Sequence, residues 1–210
     1  MQLRCITVGY PPENCYLLLC GQGQAMLVDP GAQADALYEA VRQSGCTLSW
    51  ILLTHGHYDH IGAVQALRDL TGARLAVPHG EQALLADAEQ NLSAYACREP
   101  LCIPEADLYL QDGDTLTVGD AVWQTLHTPG HTQGSSCYLC DGILLAGDTL
   151  FCGSIGRTDF PGGDAAQMAC SLRRLAALPP ETAVYPGHGE ATTVGNEVAH
   201  NPYMNGRLFL

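Results

Sequence analysis

The 210-residue sequence predicts an α/β protein with two β-sheets packed face to face and helices on their outer sides. Short apolar segments alternate with amphipathic ones along the whole chain. Each half of the chain has the same order: a hairpin, a strand that ends at Asp, a helix, and an apolar strand that ends at a His-containing turn. Hydrophobic residues make up 47% of the sequence, which is enough for an extensive core. We therefore expect a single domain over residues 1–210.

Each element of the first half has its own local signal. Short apolar segments predict strands over residues 6–8, 16–20, 25–28 and 50–53. Leu37, Ala40 and Val41 have helical spacing and precede Gly45, which predicts a helix over residues 34–44. Apolar residues at similar spacing predict further helices over residues 61–70 and 81–88.

The second half repeats this pattern. Apolar segments predict strands over residues 122–126, 136–139, 143–146 and 183–185. Asp141 and Gly142 form a typical hairpin turn between two of them. Asp164, with Gln167 three residues later, resembles a capping box and predicts the start of a helix.

The charge balance argues against several classes of function. The chain has 22 acidic and 9 basic residues, a net charge of −13, and all of the basic residues are Arg. So acidic a chain repels phosphate backbones and anionic lipids, so we expect neither a nucleic-acid nor a membrane partner. The absence of Lys excludes a lysine Schiff base.

The distribution of apolar residues and cysteines bears on the cellular location. The longest apolar runs are about five residues, far below the roughly 18 needed to span a bilayer. Near the N-terminus, Pro11, Pro12 and Glu13 interrupt any longer apolar run, so we expect no signal peptide. We therefore expect a cytoplasmic protein whose ten Cys are reduced.

Four residues of metal-ligand type occur within the segment His55-Gly56-His57-Tyr58-Asp59-His60, between an apolar strand and an amphipathic helix. His55 and His57 are two positions apart in extended chain, so their side chains project to the same side. Asp59 and His60 lie at the helix entry, where neighbouring side chains diverge by about 100°. Two groups of ligands can therefore form, and imidazole with carboxylate suits zinc, iron or manganese.

Three more candidate ligands lie at later strand ends: His131, Asp148 and His188. Gly and Pro beside them allow the backbone to turn sharply next to an ion. Seven ligands match two metal ions, with three His on one ion, Asp and two His on the other, and a carboxylate between them. We expect His79, His127 and His200 not to be ligands.

The segments HGHYDH, PGHT, AGDTLF and PGHGE resemble the metallo-β-lactamase superfamily and, within it, a short bacterial subgroup of the glyoxalase II (hydroxyacylglutathione hydrolase) branch. This resemblance implies an αββα sandwich of two mixed sheets with the site at one edge. It implies a first metal on His55, His57 and His131. It also implies a second metal on Asp59, His60 and His188. Asp148 would bridge the two ions, and Asp29 would support the metal loop.

The resemblance also implies a reaction. A hydroxide held between two divalent ions, Zn²⁺ or else iron or manganese, would hydrolyse S-D-lactoylglutathione to D-lactate and glutathione, a step of methylglyoxal detoxification. Asp59 would orient the hydroxide, and Asp148 would complete the catalytic pair. A thiolate leaves without prior protonation, so a thioester fits a site without a dedicated acid. The expected partner is thus a small-molecule thioester; no oligomeric state is predicted.

The alternatives belong to neighbouring classes. A persulfide dioxygenase with one iron on two His and one Asp belongs to the same superfamily, and another thioester or a lactone would suit the same centre. A non-catalytic metal scaffold, a nuclease and a β-lactamase fit the sequence less well.

Substrate recognition departs from full-length glyoxalase II. That family continues into a C-terminal helical domain whose basic residues hold glutathione. We expect no such domain here, since the chain has no Lys and ends 22 residues after His188. Arg157 is the basic residue of the segment after Asp148. It would either hold a substrate carboxylate or pair with Asp159 or Asp164.

Overall fold

The computed structural model describes residues 1–103 and 105–208 and contains two six-stranded mixed sheets with helices on their outer faces. This architecture confirms the predicted α/β sandwich. No helix within the described ranges combines the length and apolar character needed to cross a membrane.

The first sheet follows chain order from its first strand to its sixth. Its strands are β1 (Gln2–Val8), β2 (Glu13–Leu19), β3 (Gln24–Val28), β4 (Thr47–Leu52), β5 (Arg74–Pro78) and β6 (Leu108–Leu110). β2 is antiparallel to its neighbours β1 and β3, and β3 to β6 are parallel. The helices of this half are α1 (Ala34–Ser44), α2 (Tyr58–Ile61), α3 (Val64–Thr71), α4 (Gln82–Ala86) and α5 (Ser93–Ala96).

The second half adds another sheet and a short ribbon. Its strands are β7 (Thr115–Val118), β8 (Ala121–His127), β9 (Ser136–Cys140), β10 (Ile143–Gly147), β11 (Leu150–Phe151), β12 (Ser154–Ile155), β13 (Ala183–Pro186) and β14 (Thr192–Thr193). The sheet order is β14-β13-β10-β9-β8-β7, and β11 pairs with β12 separately. Two helices cover this sheet, α6 (Ala165–Ala176) and α7 (Val194–His200).

Alternation along the strands divides the core into three apolar layers. In β2, Leu17 faces the helices of the first half, whereas Leu18 packs between the sheets. In β9, Tyr138 packs between the sheets, whereas Cys137 faces α6 and α7. The three layers are those of a helix–sheet–sheet–helix sandwich.

Two local predictions meet different outcomes. The predicted helix over residues 61–70 is wrong in its bounds, because it is divided into α2 and α3. The helix is interrupted between α2 and α3 because the Ala63 N–H donates to the Pro30 carbonyl over 2.9 Å instead of to a carbonyl of the preceding turn. The predicted start of α6 is confirmed, since an Asp164 carboxylate oxygen accepts from the Gln167 backbone N–H over 2.9 Å.

Five strands, β3, β4, β8, β10 and β13, end at the same edge of the sandwich. β3 is parallel to β4, and β10 is parallel to β13. β8 runs in the direction of β10, because both are antiparallel to β9. The loops that follow these strands carry the candidate ligands, so the topology brings them to one place.

The layer between the sheets predicts a contrast between two leucines. Leu18 is fully buried there, and Leu70 of α3 is 49% exposed. We expect Leu18→Ala to lower the free energy of unfolding by about 2–5 kcal/mol, since it leaves a cavity. Leu70→Ala should change it by less than about 0.5 kcal/mol. Urea unfolding measures both, and equal losses would contradict the assigned layers.

Candidate metal centre

The loop after β4 is held by Asp29, which follows β3. The Asp29 carboxylate accepts from the Thr54 backbone N–H over 2.7 Å and from the Thr54 hydroxyl over 2.6 Å. Asp29 itself has a φ of 50°, a left-handed conformation that Asp tolerates better than most residues. These contacts fix the backbone immediately before His55.

His55, His57 and His131 form one group of buried candidate ligands. One ring nitrogen from each lies within 4.8 Å of the others. The closest pair is His57 Nδ1 and His131 Nε2, which are 2.9 Å apart. The structure thus brings together the three histidines that the family resemblance assigned to a first metal.

Asp59, His60 and His188 form the second group, with ligand atoms within 4.8 Å of one another. Asp148 lies between the two groups. Its Oδ2 is 3.6 Å from both His131 Nε2 and His188 Nε2, and its Oδ1 is 3.4 Å from His60 Nε2. Asp148 therefore lies next to ligand atoms of both groups.

Hydrogen bonds on the far side orient the imidazole rings. His131 Nδ1 is 2.8 Å from the Arg157 carbonyl oxygen, and His188 Nδ1 is 2.6 Å from the Pro12 carbonyl oxygen. His60 Nδ1 is 3.1 Å from Asp29 Oδ2. Each contact turns the other ring nitrogen towards the centre, as in metal sites whose ligand histidines are held from behind.

The donor set fits metal ions. In the described chain, His55 Nε2, His60 Nε2 and Asp148 Oδ1 are buried without a hydrogen-bond partner. Buried polar atoms almost always have a hydrogen-bond partner, so these three atoms require another explanation. A divalent cation would satisfy nitrogen and oxygen atoms that face the same space.

The two groups differ in their affinity for protons. Burial and the neighbouring histidines lower the pKa of His55 well below its usual range, and that of His57 to about 3. Burial also lowers the pKa of His60, but Asp148 and Asp59 outweigh it and raise the pKa well above its usual range. Burial likewise opposes protonation of His188, but Asp59 and Asp148 raise its pKa.

Comparison with known proteins identifies the family. The sequence profile described as Metallo-beta-lactamase superfamily matches residues 8–188. The chain belongs to this superfamily. It is 36% identical to the probable metallo-hydrolase YqgX of Bacillus subtilis over 209 residues. This alignment covers 98% of this chain and 99% of YqgX. It is 33% identical over 216 residues to the hydroxyacylglutathione hydrolase GloC of Haemophilus influenzae, with 99% and 100% coverage.

Solved structures of the superfamily are similar over nearly the whole chain. The B3 metallo-β-lactamase BLEG-1 has a TM-score of 0.92, 37% identity and coverage of 98% of this chain and 100% of that one. TTHA1623, solved in a di-iron-bound form, has a TM-score of 0.85, 37% identity and coverage of 95% and 99%. ETHE1 from Myxococcus xanthus has a TM-score of 0.80, 34% identity and coverage of 98% and 85%.

A cavity of about 390 Å³ lies over the centre of this superfamily member. Asp59, Asp148 and three of the histidines line it together with a largely apolar wall. The wall residues include Pro11, Leu92, Phe151, Ile155 and Phe160. The cavity therefore offers an apolar surface to a substrate positioned over the candidate ligands.

Arg157 also lines this cavity, and its side chain pairs with Asp159. Its Nε and one terminal nitrogen each lie 2.6 Å from a different carboxylate oxygen of Asp159. Its guanidinium also stacks over Phe160 at 3.9 Å. The expected pair of Arg157 with Asp159 is therefore present. Asp164, the other expected partner, caps α6 instead.

Some residues around the centre were not predicted. Glu13 is fully buried 3.9 Å from His60 Nδ1, and neither of its oxygens has a hydrogen-bond partner within the described residues. Burial raises the pKa of Glu13 well above its usual range, and Asp29 raises it further. The carbonyl contacts of Pro12 and Arg157 were also missed, because a backbone acceptor has no signature in residue type. His127 is half-buried, and its Nε2 lies 3.0 Å from the Gln133 carbonyl oxygen.

The proton affinities predict stepwise metal loss in acid. A metal ion displaces the protons that the raised pKa values hold on His60 and His188, so binding there weakens as pH falls through those values. His55 and His57 are neutral at pH 7 and compete less with protons. We expect acidification from pH 8 to 5 to release the ion at the second group first. Metal analysis after dialysis measures this, and simultaneous loss of both ions would contradict it.

Proposed function

We propose that this chain is a metal-dependent hydrolase of hydroxyacyl-glutathione-type thioesters, with S-D-lactoylglutathione as the first substrate to test. The observation that carries the proposal is the position of Asp148 between two groups of ligand atoms, on the floor of a cavity. The similarity to GloC, named as a hydroxyacylglutathione hydrolase, supports the substrate class.

The two groups would each hold one divalent ion, with Asp148 in contact with both. When bound, such ions supply a hydroxide nucleophile near neutral pH and polarise the substrate carbonyl. His60 and His188 lower the pKa of Asp59, although burial opposes them, so Asp59 is a carboxylate at pH 7. Its free lone pairs can accept a hydrogen bond from the attacking water and direct the oxygen towards the carbonyl carbon.

The leaving group explains why a thioester suits this site. Hydrolysis forms a C–O bond, breaks the C–S bond and releases a thiolate, whose conjugate thiol has a pKa of about 8.5. The thiolate needs no proton before it leaves. The cavity lining also includes Tyr58, but burial and Asp59 raise the pKa of its phenol above the usual range, so it is a poor proton donor at pH 7.

The surroundings of the cavity define how a substrate can be held. Phe151, Ile155 and Phe160 can pack against an acyl chain and exclude water. A carboxylate of the thiol carrier can reach Arg157 by exchanging with Asp159, since exposed ion pairs contribute little. The ten free cysteines fit the proposed cytoplasmic location.

Hydrolysis of S-D-lactoylglutathione by the purified chain, with its metal content measured in the same sample, tests the proposal. We expect turnover with about two ions per chain and its loss on chelation. Turnover that is absent with both ions bound would contradict this substrate. Other thioesters, lactones and a β-lactam assayed in parallel would then identify the class, because BLEG-1 is named as a metallo-β-lactamase. Oxygen consumption with a single bound iron would instead favour the persulfide dioxygenase.

Replacement of the central carboxylate separates its role from general effects of charge. We expect Asp148→Asn to lower kcat/KM by more than about 100-fold, beyond the 10–100-fold typical of residues that only support a ligand. Metal content should fall in the same variant. Asp69→Asn is the matched control, because Asp69 lies on the exposed surface and bonds to Gln65. Full activity of Asp148→Asn would contradict the bridging role.

A further inference from the structure

A second buried carboxylate connects the two loops that carry the three-histidine group. Glu81 Oε2 accepts from the Gly56 backbone N–H over 2.8 Å. Its Oε1 accepts from the Gly134 backbone N–H and from the Thr132 hydroxyl, each over 2.7 Å. Gly56 lies between His55 and His57, and Thr132 follows His131. One fully buried side chain thus contacts both loops of the group.

The backbone around this carboxylate is shaped to admit it. A Cβ at Gly134 would lie 2.6 Å from Glu81 Oε1, and a Cβ at Gly56 would lie 2.6 Å from a methyl carbon of Leu84. At Gly134 the Cβ would also lie 2.8 Å from the Glu81 backbone nitrogen, so that loop needs glycine, whereas a Cβ at Gly56 would force the leucine side chains of α4 to shift. The absence of these two side chains allows the loops to approach Glu81 and α4.

The second group is held by other contacts. Asp29 supports His60, and the Pro12 carbonyl supports His188. The Asn14 side-chain amide donates to the Pro186 and Gly189 carbonyls on either side of His188, over 3.1 and 2.9 Å. Among the described residues, the side-chain hydrogen bonds of Glu81 reach only the loops of the first group.

We propose that Glu81 is a positioning residue that sets the separation between the loops carrying His55, His57 and His131, and thereby the affinity of this group for a metal ion. The inference depends on the metal centre and is independent of the substrate. Glu81 acts through the backbone on either side of the ligands and does not itself face the ion.

Glu81→Gln is the sharpest test, because it preserves size and changes the acceptors. A glutamine has one acceptor oxygen, and its amide nitrogen would face at least one of the three donors. A buried donor without a partner is unfavourable, so one loop must move away. The movement of the loop should shift His57 or His131 and leave His60 and His188 in place.

Glu197 provides a matched control elsewhere in the molecule. It is also fully buried, and it accepts from the Gly153 backbone N–H over 2.8 Å and the Thr192 hydroxyl over 2.7 Å. Its hydrogen-bond donors lie outside the loops that carry the candidate ligands. Glu197→Gln should therefore destabilise the fold as Glu81→Gln does, and leave metal binding unchanged.

The experiment is a Zn²⁺ titration of the full chain against a competing chelator, with no substrate present. His131→Ala and His188→Ala identify which binding step belongs to which group. We expect Glu81→Gln to weaken the step that His131→Ala removes by about 10–100-fold, and the other step by less than about threefold. Urea unfolding of the metal-free variants reports the purely structural cost.

A second pair of variants keeps the test valid if Glu81→Gln does not fold. Thr132→Val removes one of the three donors and should weaken the same step to a smaller extent, whereas Thr192→Val should have no effect on metal binding. Unchanged metal affinity in Glu81→Gln, or in Thr132→Val where Glu81→Gln cannot be purified, would overturn the proposal. So would equal weakening of both steps, or the same loss in Glu197→Gln. Failure to hydrolyse lactoylglutathione would bear on the proposed function alone.

Discussion

Buried ring nitrogens without hydrogen-bond partners in the described chain are the constraint on which the structure of this edge depends. Burial of polar atoms is unfavourable unless something satisfies them. The three apolar layers stabilise a fold that contains this unfavourable arrangement. Because the unsatisfied atoms converge on one space, cations can satisfy them together. The metal-binding property is therefore inseparable from the packing that buries the ligands.

The supports of the ligands come from distant parts of the chain. The contact between His188 and the Pro12 carbonyl spans 176 residues, and the contact between Asn14 and the Gly189 carbonyl spans 175. Tyr16 also donates its hydroxyl to the Pro186 carbonyl over 2.6 Å. The hairpin of β1 and β2 thus holds the loop after β13, and the centre is complete only when both sheets are assembled.

The sequence predicted the parts of the structure that have local signals. The helix over Ala34–Ser44 matches in both bounds, because Gly45 ends it in a left-handed conformation. The candidate ligands follow from residue type and strand-end position. Several elements were not predicted, namely the strands β5, β6, β7, β11, β12 and β14 and the helices α5 and α7; all except β5 and α7 have four residues or fewer. Glu13 and Glu81 were missed because their contacts are tertiary, and nothing in their local sequence distinguishes them from exposed glutamates.

The two groups of candidate ligands differ in residue type and in the charge around them. The first group consists of histidines alone, and its loops share the Glu81 carboxylate. The second includes Asp59 and lies close to the side chains of Asp29 and Asp148. An excess of negative charge favours cations at the second group, but it also favours protons on His60 and His188. A cation at the second group would therefore compete with protons on His60 and His188, so a reaction that needed both groups filled would depend on pH more steeply than one that needed the first group alone.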